Sequence, residues 1–444
     1  MSMRQTIFAL VTALVISMNV STQTPEQLAL LWENEHVSNI FPSDVRHRDL
    51  KNYVEGLKKL GVKIDQVGFS NASREIYQAE WGHGPLKVFL WSQMHGDEPT
   101  ATSALIDIFT VLQKDRDKEW VKQLSGRVTI RAVPMLNPDG AEAFQRRNLQ
   151  GIDINRDALD LKTPEARILK RLRDDWNPVV GFNLHNQGSL TTAGPSPTQA
   201  AISLLVVYGD ADKTPSFGHE RNTRLVSTMT LALQRFIPGH IARYSDEWTP
   251  TAFGDNFSAW GTPVILIETG ELYGKDEMFL VKMNFVAILT ALNSLATGSE
   301  AAESTSPYLN LPENRSGSLV NFVFRSGNIV ARDNLTVPTE VLVTIGDIAA
   351  VTERRRASFA APTIIRGVGN IGGRRGLEEY DASAFYLVPR YGRIASGEIA
   401  DFYVYKKDRI IDWTVTDLDK QFPPDAIFSA GKWLKGEGVV PRLQ

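Results

Sequence analysis

Leu86–Pro99 reads LKVFLWSQMHGDEP. Its first half, Leu86–Trp91, is a short apolar run of the kind that fills a strand buried on both faces. The run leads into His95, Gly96, Asp97 and Glu98, which puts an imidazole and a carboxylate three positions apart just past a strand end. Next, Thr102–Gln113 repeats apolar residues at three- and four-residue spacing, the period of a helix. Strand, polar loop and helix in that order make one α/β unit, and open α/β sheets bind ligands where their strands end.

The same alternation extends to either side. Residues 26–60 read as helical and charged. Val62–Val67, Glu75–Ala79, Val128–Leu136, Val179–Leu184 and Pro263–Ile267 read as strands, and Asn137–Gly140 reads as a turn. Helices are predicted over Thr163–Asp175, opened by a Thr cap with Pro at the first position, and over Glu220–Phe236 and Glu277–Leu295. The expectation is an α/β domain over 23–298, with a central mixed sheet flanked by helices. Composition then shifts to Gly, Ser, Glu, Pro and Asn, so 299–318 is expected to be a linker. The runs Leu319–Phe324, Glu340–Ile345, Thr363–Gly367, Ala384–Val388 and Asp401–Tyr405 predict a small all-β domain over 319–444.

At the other end, Arg4 precedes an apolar stretch from Ile7 to Met18 and a mostly polar exit. That is the order of a secretory leader, so residues 1–22 are expected to be a signal peptide and the mature protein secreted or periplasmic. The stretch is short of the roughly 20 apolar residues that span a bilayer, and no stable membrane span is expected after its removal.

The chain has no cysteine, which removes disulfides, thiolate ligands and cysteine nucleophiles together. A transition-metal site must therefore draw on carboxylates and on the seven histidines. Lysine and arginine against aspartate and glutamate give 48 − 51 = −3, a balance that favours no nucleic-acid partner. His185 ends the strand Val179–Leu184 as His95 follows the strand Leu86–Trp91. Two histidines and a glutamate, one ligand distant in sequence from the other two, form a known zinc set that leaves one position open. His36, His47, His83, His219 and His240 fall in charged or turn contexts and read as solvated or structural.

Further along come Asn137-Pro138-Asp139-Gly140, Arg146-Arg147-Asn148, Gly151-Ile152-Asp153-Ile154-Asn155-Arg156 and Asn183-Leu184-His185. Ile267-Glu268-Thr269-Gly270 closes the series. Over residues 60–295 this ordered set resembles the zinc carboxypeptidase family of metallopeptidases. The resemblance implies one zinc ion held by His95, Glu98 and His185. It implies Glu268 as the general acid/base that takes a proton from the attacking water and delivers it to the leaving amine. Arg146 matches the arginine that polarises the scissile carbonyl, with the adjacent Arg147 as the alternative. Asn155 and Arg156 match the pair that holds a peptide's terminal carboxylate, a task suited to a guanidinium fork.

The sequence also departs from the family pattern. Asp157 stands where asparagine is usual and brings a negative charge beside the anion-binding pair. The family's mobile tyrosine has no clear match, and Tyr244, 24 residues before Glu268, is the candidate. The specificity pocket falls in Trp248–Asn256, where Asp255 reads either as a recognition group or as a turn-stabilising residue. Two other functions remain open at this level: an N-acyl amino-acid deacylase or amidase on the same scaffold, and a non-catalytic peptide- or glycan-binding protein. Oligomeric state is not legible. Gly367–Gly372 has the spacing of a dinucleotide-binding loop, yet no apolar helix follows it, so it reads as a glycine turn. Arg354–Arg356 reads as a solvated turn.

Overall fold

Burial on both faces decides how the apolar strands assemble. The computed structural model describes residues 23–330, 336–345 and 363–443. The leader-like stretch and Arg354–Arg356 lie outside the described residues. The strands in chain order are β1 (Lys63–Phe69), β2 (Glu75–Gly82), β3 (Leu86–Ser92), β4 (Val128–Val133) and β5 (Val180–Asn186), followed by β6 (Thr192–Ala193), β7 (Ile202–Val207), β8 (Ile241–Arg243), β9 (Val264–Thr269) and β10 (Asn314–Arg315). Among the described residues, eight of these form one sheet in the order β1-β2-β4-β3-β5-β9-β7-β8. Its centre, β4-β3-β5-β9, is parallel, while β1–β2, β2–β4 and β7–β9 are antiparallel. The sheet is therefore mixed, as the alternation predicts.

The helices are α1 (Pro25–Glu35), α2 (His47–Leu60), α3 (Thr100–Lys114), α4 (Glu119–Arg127), α5 (Pro138–Ala143), α6 (Pro164–Trp176), α7 (Phe217–Gln234), α8 (Phe253–Ala259), α9 (Glu277–Thr297) and α10 (Ser306–Leu309). One apolar cluster joins α1–α4, α7 and α9 to one face of the sheet, and a second joins α6 and α8 to the other. With both faces covered, β5, β7 and β9 are buried almost throughout. Helix α9 is long and apolar enough to cross a membrane, but 78% of its most apolar window is buried against the rest of the chain, as in a core helix.

Three expectations change. Asn137–Gly140 is not a free turn: the Asn137 side chain accepts from the Gly140 amide and caps α5. The stretch expected to be a linker, 299–318, packs on the α/β body. Its Tyr308 is 4% exposed, the Tyr308 hydroxyl accepts from the Val206 amide, and β10 pairs with β6. The apolar and aromatic side chains in that stretch give it something to bury despite its loop-like composition. Finally, the sequence reading omitted β7, β8, α4 and α8.

Beyond residue 318 the chain is β-rich: β11 (Leu319–Val330), β12 (Thr336–Ile345), β13 (Thr363–Val368), β14 (Arg375–Asp381), β15 (Phe385–Pro389) and β16 (Asp401–Lys406). The short strands β17 (Ala426–Ser429), β18 (Lys432–Lys435) and β19 (Arg442–Leu443) follow. They form a second sheet around a separate aromatic core that includes Phe324, Phe402 and Phe428. Gly367–Gly372 leads into a strand, β14, so no helix N-terminus stands behind it to receive a pyrophosphate.

Candidate active site

The site lies where β3, β5 and β9 end on one edge of the larger sheet. Past β3 the chain turns through Gln93, held at φ +50°, with its side chain fixed by Thr102 Oγ1 and the Gly96 carbonyl. Gly96 is pressed against α5: a Cβ there would lie 1.9 Å from the Gly140 carbonyl carbon, so only glycine fits. This turn aims His95 and Glu98 at the end of β5, where His185 stands. In the parallel register His185 pairs with Glu268 on β9, so the two strands present both groups at one level.

The donor atoms of His95, Glu98 and His185 all lie within 4.8 Å of one another, and all three residues are buried. Glu98 Oε1 is 2.8 Å from His95 Nδ1, and Oε2 is 2.6 Å from His185 Nδ1. The two Nδ1 atoms face each other at 3.2 Å. On the far side of the ring, His95 Nε2 is 3.1 Å from Asp153 Oδ1, the carboxylate–histidine arrangement that orients a metal-binding imidazole. Two imidazole nitrogens and a carboxylate converging in a buried cluster fit zinc in number and in chemistry.

Electrostatics support that fit. Burial raises the Glu98 carboxyl, but the facing imidazoles outweigh it and hold the group well below the usual carboxylate range. Burial likewise opposes protonation of His95, yet Glu98 and Asp153 carry it up to about 9, while burial lowers His185. The oxygens of Glu98 and Asp153 thus surround His95 with negative charge. Glu268 differs: burial, and then the charge of Glu98, push its pKa well above the usual value. Its carboxylate has no hydrogen-bond partner among the described residues, and both oxygens remain available to a reactant.

These groups line one cavity of about 640 Å³, together with Arg146, Asn155, Arg156, Tyr244 and Asp255. Arg146 donates from Nε to Asp153 Oδ2 at 3.0 Å and from Nη1 to Glu98 Oε1 at 3.3 Å. Arg147 points away and donates to the Gly151 carbonyl, so of the two adjacent arginines Arg146 is the one at the cluster. Asn155 Oδ1 accepts from the Phe253 amide, and Arg156 Nη1 donates to the Asn155 carbonyl. Asp157 does not crowd that pair. It is buried beneath Lys162 and Thr163, where its carboxylate accepts both amides and the Thr163 hydroxyl ahead of α6. Tyr244 is pushed up to about 12, chiefly by the charge of Glu268 and then by burial, which places the phenol near that carboxylate. Asp255 accepts from the Thr249 amide and lines the cavity.

The other five histidines take no part in the cluster. His47 contacts the Glu75 carbonyl, His83 contacts Ser125, and His240 contacts the Gln199 carbonyl. His36 stacks on Trp32 and His219 on Tyr208. The sequence reading missed Asp153 as the partner of His95, although it sits inside the quoted Gly151–Arg156 motif, and it missed Asn314–Ser316 in the cavity wall.

The His–Glu–His cluster at the strand ends of a mixed α/β sheet is a candidate metal site. Residues 43–232 match the family model described as zinc carboxypeptidase. "Probable carboxypeptidase 2" of Trichophyton verrucosum is 29% identical over 110 residues, covering 25% of this chain and 21% of that protein. "Carboxypeptidase 2" of Trichophyton tonsurans is 27% identical over 127 residues, covering 29% and 23%. The chain spans only about a fifth of the length of these curated relatives. Among solved structures, a metallo-carboxypeptidase from Burkholderia cenocepacia aligns with a TM-score of 0.47 and 15% identity, over 57% of this chain and 69% of that one.

Proposed function

We propose that this chain is a zinc-dependent carboxypeptidase that hydrolyses the C-terminal amide bond of peptides. The observation that carries the reading is the meeting of His95, Glu98, His185 and Glu268 in one cavity with Arg146, Asn155 and Arg156. His95, Glu98 and His185 would hold the zinc, which would supply Lewis acidity toward the carbonyl and the attacking water. Glu268, unencumbered and of raised proton affinity, takes the proton from that water and passes it to the leaving amine. Arg146 offers positive charge where the carbonyl oxygen becomes anionic. Asn155 and Arg156 hold the terminal carboxylate, which restricts cleavage to the last residue. Tyr244 closes on the substrate from the loop after β8. The leader-like order of residues 1–22 supports action outside the cytoplasm, in a secreted or periplasmic setting.

The test is to purify the chain, measure bound zinc, and follow free amino acids released from a mixed peptide library with and without a chelator. One zinc per chain with chelator-sensitive release of C-terminal residues is the expected result. Zinc without such release moves the function to a deacylase on the same scaffold, and absence of zinc removes the reading.

A further inference from the structure

Asn314, Arg315 and Ser316 stand in the wall of the cavity that holds the metal cluster. They belong to none of the motifs that define the site and reach it through the β10–β6 pairing, with Arg315 opposite Thr192 and Asn314 opposite Ala193. Thr192 Oγ1 donates to the Arg315 carbonyl at 3.3 Å. Asn314 Nδ2 donates to Gln187 Oε1 at 3.4 Å, two residues past His185. The wall is therefore tied to β6 by backbone pairing and, through the Asn314 side chain, to Gln187 just past the strand that carries His185.

The Arg315 side chain is exposed, and its guanidinium makes no hydrogen bond or ion pair among the described residues. Nearby acids are mostly engaged elsewhere. Glu313 pairs with Arg243 at 2.9 Å, Asp246 pairs with Lys213 at 2.6 Å, and Asp210 accepts from the Thr214 amide. Glu247, on the loop after Tyr244, is exposed and pairs with no cation. Arg146 is committed to Asp153 and Glu98. Arg156 and Arg315 are the cavity guanidiniums that form no ion pair among the described residues. Arg156 lies beside Asn155, which is fixed to the start of α8, and Arg315 lies on β10, opposite Thr192 of β6.

We propose that Arg315 binds an anionic side chain of the substrate on the amino-terminal side of the bond that is cut. The chain then prefers peptides with glutamate or aspartate one or two residues before the C-terminal residue. This rests on the carboxypeptidase reading, in which Arg156 holds the terminal carboxylate. A peptide anchored there advances about 3.3–3.6 Å per extended residue, through the one cavity that Arg315 also lines. A planar guanidinium suits a carboxylate bidentately, and a wall fixed by backbone pairing spends little entropy in presenting it.

The test uses the full chain carrying Glu268→Gln, loaded with zinc so that peptides stay intact, and titrates otherwise identical peptides with glutamate or glutamine at those positions. The acidic member is expected to bind roughly three- to tenfold tighter at low salt, with the difference shrinking as salt rises. Arg315→Ala is expected to erase the difference, and Arg315→Lys to keep part of it. Equal binding of both members, or a difference that survives Arg315→Ala, overturns the proposal. Cleavage of the same peptides by the chain with Glu268 intact is scored separately. Selective binding without C-terminal release keeps the subsite and removes the carboxypeptidase reading, whereas no binding of either peptide removes both.

Discussion

At the scale of the residue, three carboxylates near one cluster are set to different tasks by their surroundings. Glu98 faces two imidazoles and stays ionised, and Asp153, facing His95 and Arg146, is likewise held well below the usual carboxylate range once those partners outweigh its burial. Glu268 is as deeply buried but faces a like charge, and its proton affinity rises. A base must be ionised to accept a proton, so activity should fall as pH drops through a value above the usual carboxylate range. Glu268→Gln should leave zinc bound while lowering turnover by a factor of at least ~100, as expected for loss of general-base chemistry. Metal analysis beside a kcat measurement on a library-derived peptide checks this, and near-normal turnover in the variant would remove Glu268 from the mechanism.

At the scale of the element, the loop between α5 and α6 carries Arg146 and Asp153 to the cluster, and Glu165 lies beneath it. Glu165 is fully buried, and its Oε2 accepts from Asn148 Nδ2, while Asn148 itself closes the loop through the Gln150 and Ile152 amides. Burial pushes the Glu165 carboxyl up to about 7 from 4.5. An acid whose folded pKa exceeds its unfolded value binds more protons when folded, so stability is greatest below the unfolded value and is lost as pH rises through about 7. Glu165→Gln should therefore raise the melting temperature at pH 8 and change it little at pH 5, with a gain on the order of 2 kcal/mol at the higher pH. Melting curves of both chains at the two pH values decide it, and an equal effect at both would mean that Glu165 does not titrate in this range. What could be read from sequence follows the same division by element. Leu86–Trp91 and Val179–Leu184 were legible because a strand buried on both faces is apolar throughout, and the polar residues at their ends then stand out. β8 is three residues long and β14 reads RGLEEYD, so neither has a pattern that marks it, and both exist through pairing with distant strands. The contact from Asp153 to His95 spans 58 positions, and Arg315 sits in a stretch whose composition reads as loop. Only the folded chain brings Asp153 to His95 and Arg315 to the cavity.

At the scale of the whole molecule, the position at which the chain is cut matters more than how much is removed. Among the described residues, polar contacts between the second sheet and the first body include the Tyr273 hydroxyl to Glu378 at 2.6 Å and Arg442 to Tyr273 at 2.8 Å. Tyr273 is 47% exposed, so these are surface interactions of small individual worth. The 299–318 stretch is different in kind, since it buries Tyr308 and Leu311 and builds the cavity wall with Asn314–Ser316. A chain ending at Ser318 should keep one zinc and the wall that contains Arg315. A chain ending at 298 should lose that wall together with a buried aromatic, a loss worth about 3–5 kcal/mol. Zinc content and melting temperature of the two truncations separate these cases. If the longer one is metal-free or fails to fold, the two sheets share one cooperative core, and the β-rich half is needed for the site itself.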